Sequence, residues 1–264
     1  MTPLSVFGTV RAAYAFVWRE RRQFWELTLP PLIILAILSA LVHWGTVASS
    51  VTVDGVKSLT VQRSGWVGAL SFVLLLINIW VWLAYSVAWH RSYILPGGAY
   101  SPVDAYRPHG RQVRFLWATV KIFLLMIPGL VVFPLFAAFT AAGVAILLLG
   151  ILAYGYVYGR LLIWLPAVAV DDQLTFGEAW AVSDGNGFRL LGIVVGVTLP
   201  IILLSFPVII LVGPLGAVDD AAKSLTMGLL TSLIIEFFSF IGLAASISAL
   251  SISYGALRKH HLST

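Results

Sequence analysis

Between Trp117 and Val170 the chain runs for 54 residues with only Lys121 and Arg160 charged. An α-helix rises about 1.5 Å per residue and the hydrocarbon core of a bilayer is roughly 30 Å thick, so this stretch is about twice too long for one crossing. It has to fold back, and the expected tight turn is Phe136 to Gly143. Charged residues are only 10% of the chain and hydrophobic ones 60%, against roughly 25% charged in ordinary soluble domains. A water-facing surface cannot be made from this composition, which points to an integral membrane protein with too few residues left over for a separate soluble enzyme domain.

Apolar runs place six spans near residues 29–47, 66–89, 117–136, 142–168, 190–212 and 226–250. The expected fold class is an all-α integral membrane protein: six transmembrane helices in one membrane domain, residues 1–264, with cytoplasmic-side interfacial amphipathic helices. Lys and Arg accumulate in short cytoplasmic segments because they resist translocation. Arg11, Arg19, Arg21, Arg22, Arg91, Arg107, Arg111, Arg114, Lys121, Arg160, Arg189, Arg258 and Lys259 fall on one side, 13 of the 16 basic residues, and Lys57, Arg63 and Lys223 on the other. Both termini are therefore expected in the cytoplasm, with outward turns near residues 48–65, 137–142 and 214–225. The apolar run at 27–42 and the small residues after it have the look of a cleavable signal. The 26 residues before it, with four arginines and two glutamates, argue against cleavage. The net charge of +5 is accounted for by topology and attraction to an anionic inner leaflet, and nucleic acid is not an expected partner.

The segments entering spans one, three and five share a layout of an alanine and an aromatic, then an arginine, then a proline-interrupted apolar run. They read Ala13-Tyr14, Arg21-Arg22 and Pro30-Pro31; Ala105-Tyr106, Arg114 and Pro128; and Ala179-Trp180, Arg189 and Pro200. This suggests a threefold parallel repeat with units 1–98, 99–170 and 171–264. In the first segment Thr2 is expected to cap a helix beginning at Pro3, with Phe7, Val10, Tyr14 and Val17 on one apolar face. In the third, Thr175-Phe176-Gly177-Glu178 has the form of a capping box.

The Val6-Phe7 to Phe24-Trp25 stretch, and above all RLLIWLPAVAVDDQLTFGEAWAVSDGNGFR from Arg160 to Arg189, carry a likeness. The chain resembles a group of bacterial six-span inner-membrane proteins related to the membrane domain of some glycerophosphodiester phosphodiesterases. That family similarly places an "LPA…D" exit from span four before a short helix leading to span five. The resemblance implies a bacterial inner membrane and no established activity. The phosphodiesterase catalytic domain has no counterpart here, so its chemistry is not carried over.

Glu236 is the only acid well inside an expected span, and an intramembrane carboxylate costs several kcal/mol unless paired, hydrated or protonated. It is either a proton or cation site or a hydrogen-bonded packing acid, with Asn78 as candidate partner. Ser232, Ser239, Ser246 and Ser253 recur every seven residues in span six and read chiefly as a small-residue packing seam. The prolines in spans three and five free backbone carbonyls, as in discontinuous transporter helices or simply kinked ones. Arg11, Arg22, Arg107, Arg111, Arg114, Arg160 and Arg189 form the expected basic, lipid-contacting inner interface, with Arg160 snorkelling toward it. Asp171-Asp172 and Asp219-Asp220 read as loop caps or solvated charge. His43, His90, His109 and His260-His261 lack metal-ligand spacing, and no metal, cofactor or catalytic residue is expected.

Three functions stay open. The first is a non-enzymatic protein that contacts lipids or serves as an accessory or scaffold in envelope organisation, with a protein partner or a second copy. The others are a small secondary transporter using Glu236 and a lipid-modifying enzyme built on Asp171, Asp172 and Glu178.

Overall fold

The computed structural model describes residues 3–53, 56–63, 65–95, 101–138, 142–212 and 221–263. In chain order the elements are α1 (Val6–Arg19), α2 (Arg21–Trp44), β1 (Thr46–Val53), β2 (Val56–Arg63), α3 (Gly65–Ile94), α4 (Pro102–Tyr106), α5 (Gly110–Ala138), α6 (Gly143–Leu162), α7 (Trp164–Ala169), α8 (Phe176–Val182), α9 (Gly187–Val212) and α10 (Ala221–Ser263). Six segments are long and apolar enough to cross a bilayer: Arg21–Trp44, Gly65–Ile94, Gly110–Ala138, Gly143–Ala169, Gly187–Pro207 and Gly228–Lys259. Much of their surface is exposed and apolar, as at Leu148, Leu203 and Phe206, which suits contact with lipid tails. The chain is a multi-pass all-α membrane protein. Where an outward turn was expected between spans one and two, β1 and β2 pair antiparallel from Thr46 opposite Arg63 to Val53 opposite Val56. The turn at 214–225 falls largely on residues outside those described.

Of the two readings of the prolines in spans three and five, discontinuous or continuous helices, the structure shows the continuous one. Helix α5 runs through Pro128 and Pro134, and α9 through Pro200 and Pro207. The interruption is in span four, where α6 stops at Leu162 and α7 starts at Trp164, two residues before Pro166. Pro166 has no N–H to give to the carbonyl four residues back, so the turn at Leu162 cannot close in the usual way.

The chain forms two compact units. One comprises Met1–Gln23, Leu83–Leu199 and Leu243–Thr264, and the other Phe24–Trp82 and Pro200–Gly242. In the first, a core of Leu4, Ala13, Ile163, Ala167, Leu174, Ala179, Leu190, Ile193, Val197, Ala245, Ala249 and neighbours is flanked by Val6, Val10, Tyr14 and Val17 of α1. Here α3 and α10 are pinned together by two buried polar contacts. Trp89 Nε1 donates to Ser248 Oγ at 2.8 Å, and His90 Nδ1 meets Ser251 Oγ at 2.8 Å. In the second unit Trp25 stacks on Phe237, and Gly228 leaves room for His43, whose ring would lie 3.0 Å from an added Cβ.

Three short helices precede the odd-numbered spans, and all three belong to the first unit. Each is N-capped by a hydroxyl: Ser5 Oγ accepts from Gly8 N, Ser101 Oγ from Asp104 N, and Thr175 Oγ1 from Glu178 N. Each buries its alanine, Ala13, Ala105 or Ala179, so the shared Ala-aromatic signature marks three inward-facing contact points. The expected capping box at Thr175 and Glu178 is complete. The first helix departs from expectation. It begins at Val6 under Ser5 and not at Pro3 under Thr2, a residue outside those described. Its buried face is Thr9, Ala13 and Phe16, while Phe7 is 89% exposed.

Candidate functional site

Helix α7 ends in a Schellman turn. The N–H of Asp172 bonds to Ala167 O at 3.0 Å and that of Asp171 to Val168 O at 3.3 Å. This motif places its C′ residue in the left-handed region and ordinarily recruits glycine. Here the position holds Asp171 at φ 62°, the only non-glycine residue with positive φ among those described. A side chain there costs about 1–2 kcal/mol of backbone strain, less for Asp or Asn than for other residues, and its environment shows what offsets it.

Three guanidiniums converge on the Asp171 carboxylate. Arg91 Nη1 and Arg111 Nε each donate to Oδ2 at 2.9 Å, and Arg114 Nη2 donates to Oδ1 at 2.6 Å. Arg91 also donates to Ala169 O at 3.1 Å, which ties the end of α3 to the end of α7. The neighbouring Asp172 receives the Tyr254 hydroxyl and an ion pair from Arg258 Nε at 3.2 Å. The two loop acids, expected to be caps or solvated charge, are instead the hub that joins the ends of spans two, three, four and six. Their partners lie 57 to 86 residues away in sequence, beyond the reach of any local pattern.

Beside this hub lies a cleft of about 320 Å³, with Arg114, Trp117, Ala118 and Lys121 of α5 on one wall and Trp164, Val168 and residues 171–175 on the other. Trp164 is held rigid, its Nε1 donating to Leu174 O at 3.0 Å and its ring meeting Phe176 edge-on. The Lys121 ammonium lies 5.6 Å and 5.7 Å from the ring centroids of Trp117 and Trp164, and among the described residues it has no carboxylate partner. Hub and cleft together hold five cations, Arg91, Arg111, Arg114, Lys121 and Arg258, against two carboxylates. The cleft itself is lined by Arg114 and Lys121 together with Asp171 and Asp172, and the two acids also pair with Arg91, Arg111 and Arg258.

Arg160 corrects the expectation of snorkelling. Its side chain is 6% exposed and enclosed by α8, donating to Trp180 O at 2.5 Å, Ser183 Oγ at 3.2 Å and Tyr156 OH at 3.1 Å. The guanidinium lies over the Trp180 ring, 3.8 Å from its centroid, and pairs with Asp184 at 3.2 Å. Helix α6 can come this close to α9 because Gly155 and Gly159 form a GxxxG pair. A Cβ on Gly155 would meet the Leu191 side chain at 2.8 Å, and one on Gly159 the Leu191 backbone at 3.0 Å. Arg160 is an internal brace and not a lipid contact.

Among the other basic candidates, Arg11, Arg22, Arg107, Arg114 and Arg189 are exposed and Arg111 is half-buried. Arg189 reaches Asn186 Oδ1 at 3.5 Å. Of the aromatics in the repeated layout, the Tyr14 hydroxyl donates to Val197 O at 2.7 Å, in the turn before Pro200 where the ladder is loosened. Burial pushes the Tyr14 and Tyr106 phenols above their ordinary value, so both remain donors at neutral pH.

The intramembrane candidates are not gathered into one site. Glu236 and Asn78 are each half-buried, and among the described residues no hydrogen bond joins them or engages either side chain. Ser239 bonds within its own helix to Ile235 O at 2.8 Å and is exposed, and Ser232 is half-buried. Of the seven-residue serine series only Ser253 is buried. The serines that join helices are Ser248 and Ser251, which sequence spacing did not single out. No protein-family model, curated protein or solved structure matches the chain.

Proposed function

We propose that this chain is a non-enzymatic protein of the bacterial inner membrane that engages anionic lipid headgroups and serves as an accessory or scaffold in envelope organisation. The observation that carries the reading is the gathering of four arginines on Asp171 and Asp172, with Lys121 in the adjoining cleft, where the ends of spans two, three, four and six meet. Basic side chains at an anionic leaflet contribute about 1 kcal/mol each, and a surplus fixed by ion pairs holds its geometry. Mass spectrometry of lipids and proteins that copurify from gently solubilised membranes tests it. Anionic lipids should be enriched over the bulk membrane; an unchanged lipid ratio contradicts the reading.

The same proposal puts both termini and the Asp171 hub in the cytoplasm, following the distribution of basic residues. The chain has no cysteine, so single cysteines report cleanly. A cysteine at position 55 should react only from the periplasmic side and one at Gln173 only from the cytoplasmic side. The opposite pattern would invert the topology.

A second reading, a small transporter, rests on Glu236, a half-buried carboxylate within a span and without a hydrogen bond among the described residues. Coupling to protons or cations requires the carboxylate to ionise or ligate, so Glu236→Gln should abolish any proton-coupled flux in liposomes while leaving the folded yield unchanged. A silent Glu236→Gln removes that reading.

A further inference from the structure

We propose that the cleft between α5 and the α7–α8 loop is a binding site for the phosphate of an anionic glycerophospholipid, with Arg114 and Lys121 as its direct cations. The inference rests on the lipid-engaging reading and names the ligand and the place. Arg114, Trp117, Ala118 and Lys121 are spaced at i, i+3, i+4 and i+7 and therefore share one stripe of α5, with a cation at each end about 10 Å apart along the axis. Ala118 is small and buried between them, so the cleft has depth where a larger side chain would fill it. Its volume of about 320 Å³ lies within the ~300–1,000 Å³ range of ligand clefts.

The cations are available to a ligand. Arg114 shares Asp171 with two other arginines and keeps its side chain 62% exposed, while Lys121 rests on two indoles with no carboxylate among the described residues. Gln173, which lines the cleft and is exposed, makes no hydrogen bond among the described residues and has an amide donor to offer.

Continuity along α5 favours a lipid over free phosphate. The stripe that carries the cleft passes, three and four residues beyond Lys121, to Leu124 and Leu125, which are 54% and 53% exposed. A phosphate held by Lys121 and Arg114 would leave its acyl chains beside an apolar wall on the same helix face. The Trp117 ring, 58% exposed, lies between the two cations on the same stripe, as an amphipathic indole does at a headgroup boundary.

The test uses the full-length protein in nanodiscs of equal phosphatidylcholine and phosphatidic acid, with retained lipid counted by native mass spectrometry. The double variant Arg114→Gln/Lys121→Gln should lose phosphatidic acid retention by at least about tenfold, as expected for removed charge-assisted contacts. Arg21→Gln/Lys259→Gln, which removes the same charge from exposed positions outside the cleft, should stay within about threefold. Gln173→Trp fills the cleft mouth from an exposed loop without altering charge and should also lower retention, which guards against misfolding of the double variant. Equal losses in the two charge-matched doubles, or no loss in Gln173→Trp, overturn the cleft and leave general lipid engagement standing. No preference of the wild-type protein for phosphatidic acid overturns both. Displacement of the lipid by millimolar inorganic phosphate overturns the lipid as ligand in favour of a free phosphate site.

Discussion

Arg160→Met is expected to lower the thermal stability of the solubilised protein by roughly 5–15 °C, corresponding to about 2–4 kcal/mol at the slope for a domain of this size. The lost interactions are charge-assisted hydrogen bonds to Trp180 O and Ser183 Oγ and a desolvated cation–π contact with Trp180, each about 1.5–3 and about 2 kcal/mol. Relief of the arginine's own burial offsets part of that sum. The Asp184 pair is counted for little because that carboxylate is 57% exposed. Arg160→Lys should recover less than half of the loss, since an ammonium cannot lie flat on an indole while donating in two directions. Thermal unfolding followed by gel filtration reads both variants. A shift under about 2 °C in Arg160→Met would mean that the brace contributes nothing net.

At Asp171, stability and lipid retention should move in opposite directions. Asp171→Asn keeps a residue that tolerates positive φ but removes the carboxylate on which Arg91, Arg111 and Arg114 converge. With two of the three guanidiniums substantially solvated, a loss of about 1–2 kcal/mol is expected. Asp171→Ala should cost roughly 1 kcal/mol more, because the alanine Cβ strains the Schellman turn. Both variants remove the carboxylate that competes with a lipid phosphate for Arg114, so anionic lipid retention should rise about fivefold, the equivalent of about 1 kcal/mol. Melting temperature and retained phosphatidic acid, measured on the same preparations, check the pair. A variant that lost stability and lipid together would show that the carboxylate organises the site and does not compete within it.

The spans were legible because lipid imposes one requirement on every exposed side chain, and composition alone reveals it. The cap of the third short helix was legible too, since a hydroxyl and a glutamate three residues apart act locally, whereas the first helix starts under Ser5 and not under Thr2. What escaped was long-range. Nothing near Asp171 in sequence announces arginines at 91, 111 and 114, and the helix ends that carry them are polar and lie outside the apolar runs. Helix α5 begins at Gly110 and not near Trp117 because its charged first turns find partners in the hub. Arg160 carried a usable signal, the Gly155 and Gly159 pair that draws α9 close. The serine seam misled because a seven-residue interval identifies a face but not the neighbour it meets. Trp89 and His90 selected Ser248 and Ser251 instead.

The most direct measurement is photo-crosslinking with a phosphatidic acid analogue that carries its reactive group next to the phosphate, in nanodiscs, with adducts located by peptide mass spectrometry. Adducts should concentrate on residues 111–121 and 171–175, and a phosphatidylcholine analogue should leave that pattern absent. Equal labelling by both lipids, or adducts spread over exposed apolar positions such as Leu148, Leu149 and Leu203, would contradict an anionic-lipid site at the Asp171 hub.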